Sequence, residues 1–118
     1  MSVALMFDYP NNDSPQQDDG YLRPVSTEKI FYKYWDPVIQ AEGYPWLHII
    51  SPGIDFDAEN LPEVLAELRQ LQAAFPRYYT PDDEKYGYIM SHLADLITEL
   101  EGVNPDDLAS GKLELFLG

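Results

Sequence analysis

With no cysteine among its 118 residues and only two histidines, His48 and His92, this chain has few side chains able to act as nucleophile or soft metal ligand. The missing cysteine excludes disulfide scaffolds, thiolate zinc sites and cysteine nucleophiles. A catalytic serine needs an adjacent base, yet no G-x-S-x-G elbow occurs, and Ser51 precedes Pro52 with no histidine at a recognisable offset. His48 lies in the apolar run Trp46 to Ile50, where a hydrogen-bonded core histidine is the simplest reading. His92 falls between Ile89 and Leu96, at the edge of an apolar helical stripe. Asp55, Asp57 and Glu59 alternate like the opening of a calcium loop, but Asn60 stands where glycine is needed and Ala66 where a bidentate glutamate is needed. Acids leading into a helix N-terminus explain the same pattern. Carboxylate pairs of the glycosidase kind have no specificity among 21 acids, and no glycine-rich phosphate loop is present. The sequence therefore predicts no catalytic residue, no metal ligand set and no cofactor.

What the residues do offer is charge beside aromatic surface. Asp and Glu number 21 against 7 Lys and Arg, a formal charge of −14, while hydrophobic residues make up 45% and aromatics 14%. That is too apolar for a disordered acidic tail, so the charge belongs to a folded body. It also exceeds the magnitude of about 2–8 that solubility asks of a small domain. A partner rich in phosphate would be repelled, which argues against direct nucleic-acid binding and against anionic membranes. The acids cluster beside aromatics expected on the surface: Asp18 and Asp19 before Tyr21, Asp55 and Asp57 around Phe56, and Tyr78-Tyr79 before Asp82-Asp83-Glu84, with Tyr88 outside the apolar stripe of its helix. Tyrosine supplies contact area with a polar tip, and carboxylates around it speed encounter with a basic protein. Asp55, Asp57, Tyr78, Tyr79, Asp82, Asp83, Glu84 and Tyr88 are accordingly the candidate partner-binding residues.

The elements that must position them follow from periodicity. Val3 to Phe7 reads as a strand, and residues 9–23 as a long acidic loop, either functional or mobile. Ser26 or Thr27 caps a helix carrying Ile30, Phe31, Tyr34, Trp35, Val38 and Ile39, in which Pro37 predicts a kink or a restart, and Gly43 ends it. Trp46 to Ile50 reads as a buried strand and Ile54 to Asp57 as an extension of the sheet. Asn60 with Glu63 forms a capping-box variant for an amphipathic helix that Pro76 stops. Thr80-Pro81-Asp82-Asp83-Glu84 reads as the start of the next helix, which Gly102 closes. Asn104-Pro105 opens one more short turn, and Leu113, Leu115 and Leu117 alternate as a final strand. The outcome is one α+β domain over residues 1–118, a small sheet of short strands packed against three main helices, the second and third as neighbours.

The stretch Val25-Ser26-Thr27, Phe31, Trp35-Asp36-Pro37, Ser51-Pro52-Gly53-Ile54 and the helix Leu61 to Leu71 resembles immunity proteins of bacterial polymorphic toxin systems, of the contact-dependent and Rhs types. The resemblance spans about residues 25–100 and implies a cytoplasmic protein that neutralises one cognate toxin by electrostatically steered binding. Its partner would be a basic protein, a nuclease being one such class. The N-terminus lacks a basic signal-peptide region and no apolar run reaches membrane-spanning length, which also predicts a cytoplasmic location. Two other readings stay open: an acidic adaptor with a transient partner, and a small carboxylate enzyme or divalent-metal domain built on Asp55, Asp57 and Glu59. The chain is expected to be a monomer, or a homodimer that keeps its acidic clusters apart.

Overall fold

Strand β1 (Ser2–Asp8) pairs antiparallel with β2 (Gly20–Thr27), Leu5 opposite Arg23 and Met6 opposite Leu22. The computed structural model describes residues 2–9, 20–50 and 52–118. Of the loop expected over 9–23, residues 10–19 lie outside that description, as does Ser51, whereas Gly20 to Arg23 belong to β2. The pairing skips Val25 between Ser26 and Pro24, so Val25 is a bulged residue, and it lies in the core. Pro24 has no N–H for a ladder and is tolerated because β2 is an edge strand.

The other side of β1 pairs with β4 (Glu114–Leu117), Leu5 opposite Leu117 and Phe7 opposite Leu115. The short β3 (Ile54–Asp55) closes the antiparallel sheet in the order β2-β1-β4-β3. Alternation puts Leu5, Phe7, Ile54, Leu115 and Leu117 on the buried face. On the opposite face the Phe116 ring lies where a Cβ on Gly53 would sit, 2.1 Å from its nearest carbon, and Gly53 has a φ of 146°. Only glycine fits there.

The expected helix after Thr27 forms, with Thr27 Oγ1 accepting from the Ile30 amide at 3.2 Å. It runs as α1 (Glu28–Ile30), a π-helical turn over Phe31–Trp35, and α2 (Asp36–Glu42). Pro37 does not end it: α-helical hydrogen bonding restarts at Asp36 with Pro37 in the first turn of α2, one of the two expected outcomes. A proline removes one amide and crowds the carbonyl one turn back; the wider turn, in which the Asp36 amide bonds the Phe31 carbonyl, precedes it instead. Phe31, Tyr34, Trp35, Val38 and Ile39 are buried, and Gly43 ends the segment with a φ of 73°.

The strand expected over Trp46–Ile50 is a 3₁₀ turn, Leu47–Ile49. The cause is Glu67 of the following helix: its nearly buried carboxylate accepts from the Trp46 and Leu47 amides at 2.9 and 3.0 Å, fixing them as a helical N-terminus. Leu47 and Ile50 point inward, three residues apart, and His48 is exposed beside Gln40 and is no core histidine.

Helix α3 (Asn60–Tyr78) continues two residues past Pro76, and packs on α4 (Tyr86–Glu101), which also covers β2. Asn104 caps α5 (Pro105–Ala109) as expected. Leu68, Leu71, Phe75, Leu93 and Leu100 are fully buried between the helices, each contributing about 1.5–3 kcal/mol by leaving water. The result is the expected α+β domain with three main helical segments. No helix of the described residues is long and apolar enough to cross a membrane.

Candidate functional site

The eight candidate residues do not form one patch. Asp55 and Asp57 precede α3, while Tyr78, Tyr79, Asp82, Asp83 and Glu84 sit at its far end. Nineteen helical residues at 1.5 Å each put about 28 Å between the two groups.

At the N-terminal end the carboxylate of Asp57 is engaged with the fold. Its Oδ1 accepts from the amides of Glu59 and Asn60 at 2.9 and 2.7 Å, and the side chain of Asn60 reciprocates by accepting from the Asp57 amide at 2.8 Å. Asn60 Nδ2 also donates to the Asp55 carbonyl at 2.9 Å. This is a reciprocal cap, with asparagine in the role glutamate usually takes. It lies three residues upstream of the expected Asn60–Glu63 pair. Glu63 instead accepts from the Trp46 indole at 2.8 Å. Phe56, expected on the surface, is buried. Asp55, like the neighbouring Glu59, keeps an exposed carboxylate with no bond to a described residue.

The C-terminal end is built differently. A row of aromatic rings runs out of the core: Trp35 lies edge-on to Phe75 at 5.6 Å, Phe75 leads to Tyr79 at 6.0 Å, and Tyr79 meets Tyr34 edge-on at 5.1 Å. Such pairs prefer tilted and edge-to-face geometry, so the row resists sliding. Hydroxyls lock its outer end. Tyr79 donates to the Tyr34 carbonyl at 2.6 Å, and Tyr34 donates to Asp83 Oδ1 at 3.1 Å. Asp83 Oδ1 also accepts from the Lys85 amide at 2.9 Å. Burial raises the Tyr34 phenol above its usual 10.0, and the bonded Asp83 carboxylate and nearby Glu84 push the same way. Tyr79 is raised by burial first, then by its neighbours Tyr34, Asp83 and Tyr78.

Residues 80–85 are therefore not the first turn of a helix. The Asp83 amide bonds the Thr80 carbonyl and the Tyr86 amide bonds the Asp83 carbonyl, making consecutive tight turns before α4 begins at Tyr86. The Asp83 carboxylate, drawn inward by Tyr34 and the Lys85 amide, organises this turn. Asp82 and Glu84 face outward, exposed and without a hydrogen bond or ion pair to a described residue. Tyr78 is 46% exposed. Tyr88 belongs to neither group: half-buried on α4, it stacks on His92 with ring centres 3.9 Å apart. His92 Nδ1 lies 2.8 Å from the Tyr88 carbonyl, which can only accept, so that nitrogen carries the proton.

The structure thus divides the candidates into presented groups (Asp82, Glu84, Tyr78 and Asp55) and supports (Asp83, Tyr79, Asp57 and Tyr88). Sequence reasoning missed Tyr34 and Glu67. Both have helical spacing that places them at a buried face, and nothing local marks the distant bonds they make. Among the described residues no three His, Asp or Glu side chains gather closely enough to hold a metal ion, Asp55, Asp57 and Glu59 included. No protein-family model, no curated protein and no solved structure matches this chain.

Proposed function

We propose that this chain is a cytoplasmic immunity protein that binds a basic bacterial toxin and neutralises it through the turn between α3 and α4. One observation carries the reading: Asp82 and Glu84 stand exposed and uncommitted on a turn that buried aromatics and two tyrosine hydroxyl bonds hold in place. A turn whose backbone is already fixed loses little further backbone freedom when it presents its carboxylates to lysine or arginine, and a net charge of −14 steers a basic partner toward them. Tyr78 supplies an amphipathic anchor beside them. Asp83 and Tyr79 act through the turn's shape, and Asp55 would be reached by a partner covering the length of α3.

The test is capture of partners from the native host by tagged wild-type protein and by a D82K/E84K variant, washed at low and high salt, with mass spectrometry of what remains. One stoichiometric basic protein that survives high salt on the wild type, is lost from the variant, and whose toxicity the wild type suppresses is the expected result. Partners that wash off both proteins alike would overturn the assignment and point to a transient adaptor.

A further inference from the structure

Cations are scarce in this chain, and their distribution is uneven. The three arginines are each answered by a carboxylate of the fold: Arg23 by Glu99 at 2.8 Å, Arg77 by Glu42 at 2.6 Å and Arg69 by Glu101 at 3.7 Å. None of the four lysines has an ion pair with a described residue, although acids outnumber bases three to one, and three of them, Lys29, Lys33 and Lys85, converge. These same three line one cavity of about 340 Å³, together with Thr27, Tyr34 and Glu84. Lys29 and Lys33 share a helix face, four residues apart. Lys85 arrives from a segment more than fifty residues away, and the Tyr34–Asp83 hydrogen bond staples that segment to the helix.

We propose that this cavity is a binding site for a dianionic phosphate group. Three ammonium groups against the single carboxylate of Glu84 leave the lining at a formal +2, which a phosphate monoester near neutral pH matches and a carboxylate does not. Lysine ammoniums are strong phosphate donors as point charges. The Lys33 ammonium is placed over the Tyr34 ring, 5.4 Å from its centre, which restrains it at the cavity wall. Thr27 Oγ1 already accepts from the Ile30 amide, which leaves its O–H proton free to donate inward. Asp83, behind Tyr34, is engaged by the Tyr34 hydroxyl and the Lys85 amide. The site is independent of the partner reading, although Glu84 borders both.

The test is an NMR titration of the whole chain with inorganic phosphate, a short phosphoserine peptide, acetate and chloride at equal ionic strength, following the Lys29, Lys33 and Lys85 resonances with Lys112 as the internal control. Both phosphate probes should shift the three cavity lysines and leave Lys112 in place, while acetate and chloride should not. Equal affinities would identify free phosphate as the ligand; a peptide binding at least about fivefold tighter would identify a phosphorylated protein segment. K33Q should weaken binding about tenfold, and E84Q should tighten it about threefold, two opposite signs that a loss of folding cannot produce. Equal shifts from acetate, or a K33Q affinity equal to wild type, would overturn the proposal.

Discussion

The two ends of α3 carry the same kind of sequence, acids around aromatics, and the fold uses them in opposite ways. Before the helix, Asp57 caps backbone amides and Phe56 is buried, so the segment closes on itself. After it, one acid of three, Asp83, organises the turn, and its neighbours Asp82 and Glu84 are left facing water. The difference lies in where the donors are. Helix N-terminal amides sit within reach of a preceding aspartate and capture it. The turn after α3 also leads into a helix, yet of its three acids only Asp83 meets an amide, that of Lys85, and the distant Tyr34 hydroxyl reaches the same oxygen. An acidic run is therefore available to a partner to the extent that its carboxylates meet no donor of the fold, as Asp82 and Glu84 do not.

Breaking the mount of the C-terminal end should have the largest effect. F75A removes a fully buried ring at the centre of the aromatic row and should cost about 3–5 kcal/mol in denaturant unfolding. Next comes N60A at the other end, where the loss of two hydrogen bonds from a buried side chain should cost about 1–3 kcal/mol. D57A, which removes the exposed half of the same cap, should cost about 1 kcal/mol and leave partner binding intact. If D57A instead weakened partner binding without a stability change, the contrast between the two ends would fail.

Alkaline titration sharpens it further. Tyr34 and Tyr79 have folded pKa values raised above 10.0, so above that pH the unfolded chain releases protons that the folded chain retains. Stability from these groups is complete below pH 10 and is lost as pH climbs through their folded values. Thermal melts across that range should show the decline, and Y34F/Y79F should flatten it. Smallest of all, D82N and E84Q should each change stability by less than about 0.5 kcal/mol, since neither side chain bonds to the described fold. Their effect should appear in the low-salt association rate with a basic partner.

Much of the scaffold was legible because its signals are local. The leucines of α3 and α4 repeat at helical steps, Leu113, Leu115 and Leu117 alternate, and Thr27 and Gly43 stand at the ends of their helix with the chemistry such ends require. The errors share one origin. Trp46 to Ile50 has the composition of a strand, and Glu67, twenty residues on, makes it a 3₁₀ turn. Thr80 to Glu84 has the composition of a helix start, and Tyr34, almost fifty residues back, turns its central aspartate inward. Gly20 to Arg23 looked like loop because the partner that makes it a strand, β1, lies before the intervening segment. The three lysines of the cavity carry no joint signal, since only folding brings Lys85 to Lys29 and Lys33.

The central pairing of the sheet sets the tempo at which all of this assembles. Leu5 and Leu117 sit opposite one another although more than a hundred residues separate them along the chain. Closing a loop of that length carries an entropy cost of about 4 kcal/mol before the contact returns anything. Helices α3 and α4 can form from neighbours, whereas the β1–β4 ladder must wait for a long-range search, the kind of step that slows folding. Once made, it is a clasp: Ala4 and Gly118 exchange hydrogen bonds at 3.1 Å, so the first strand holds residues that follow it by more than a hundred positions.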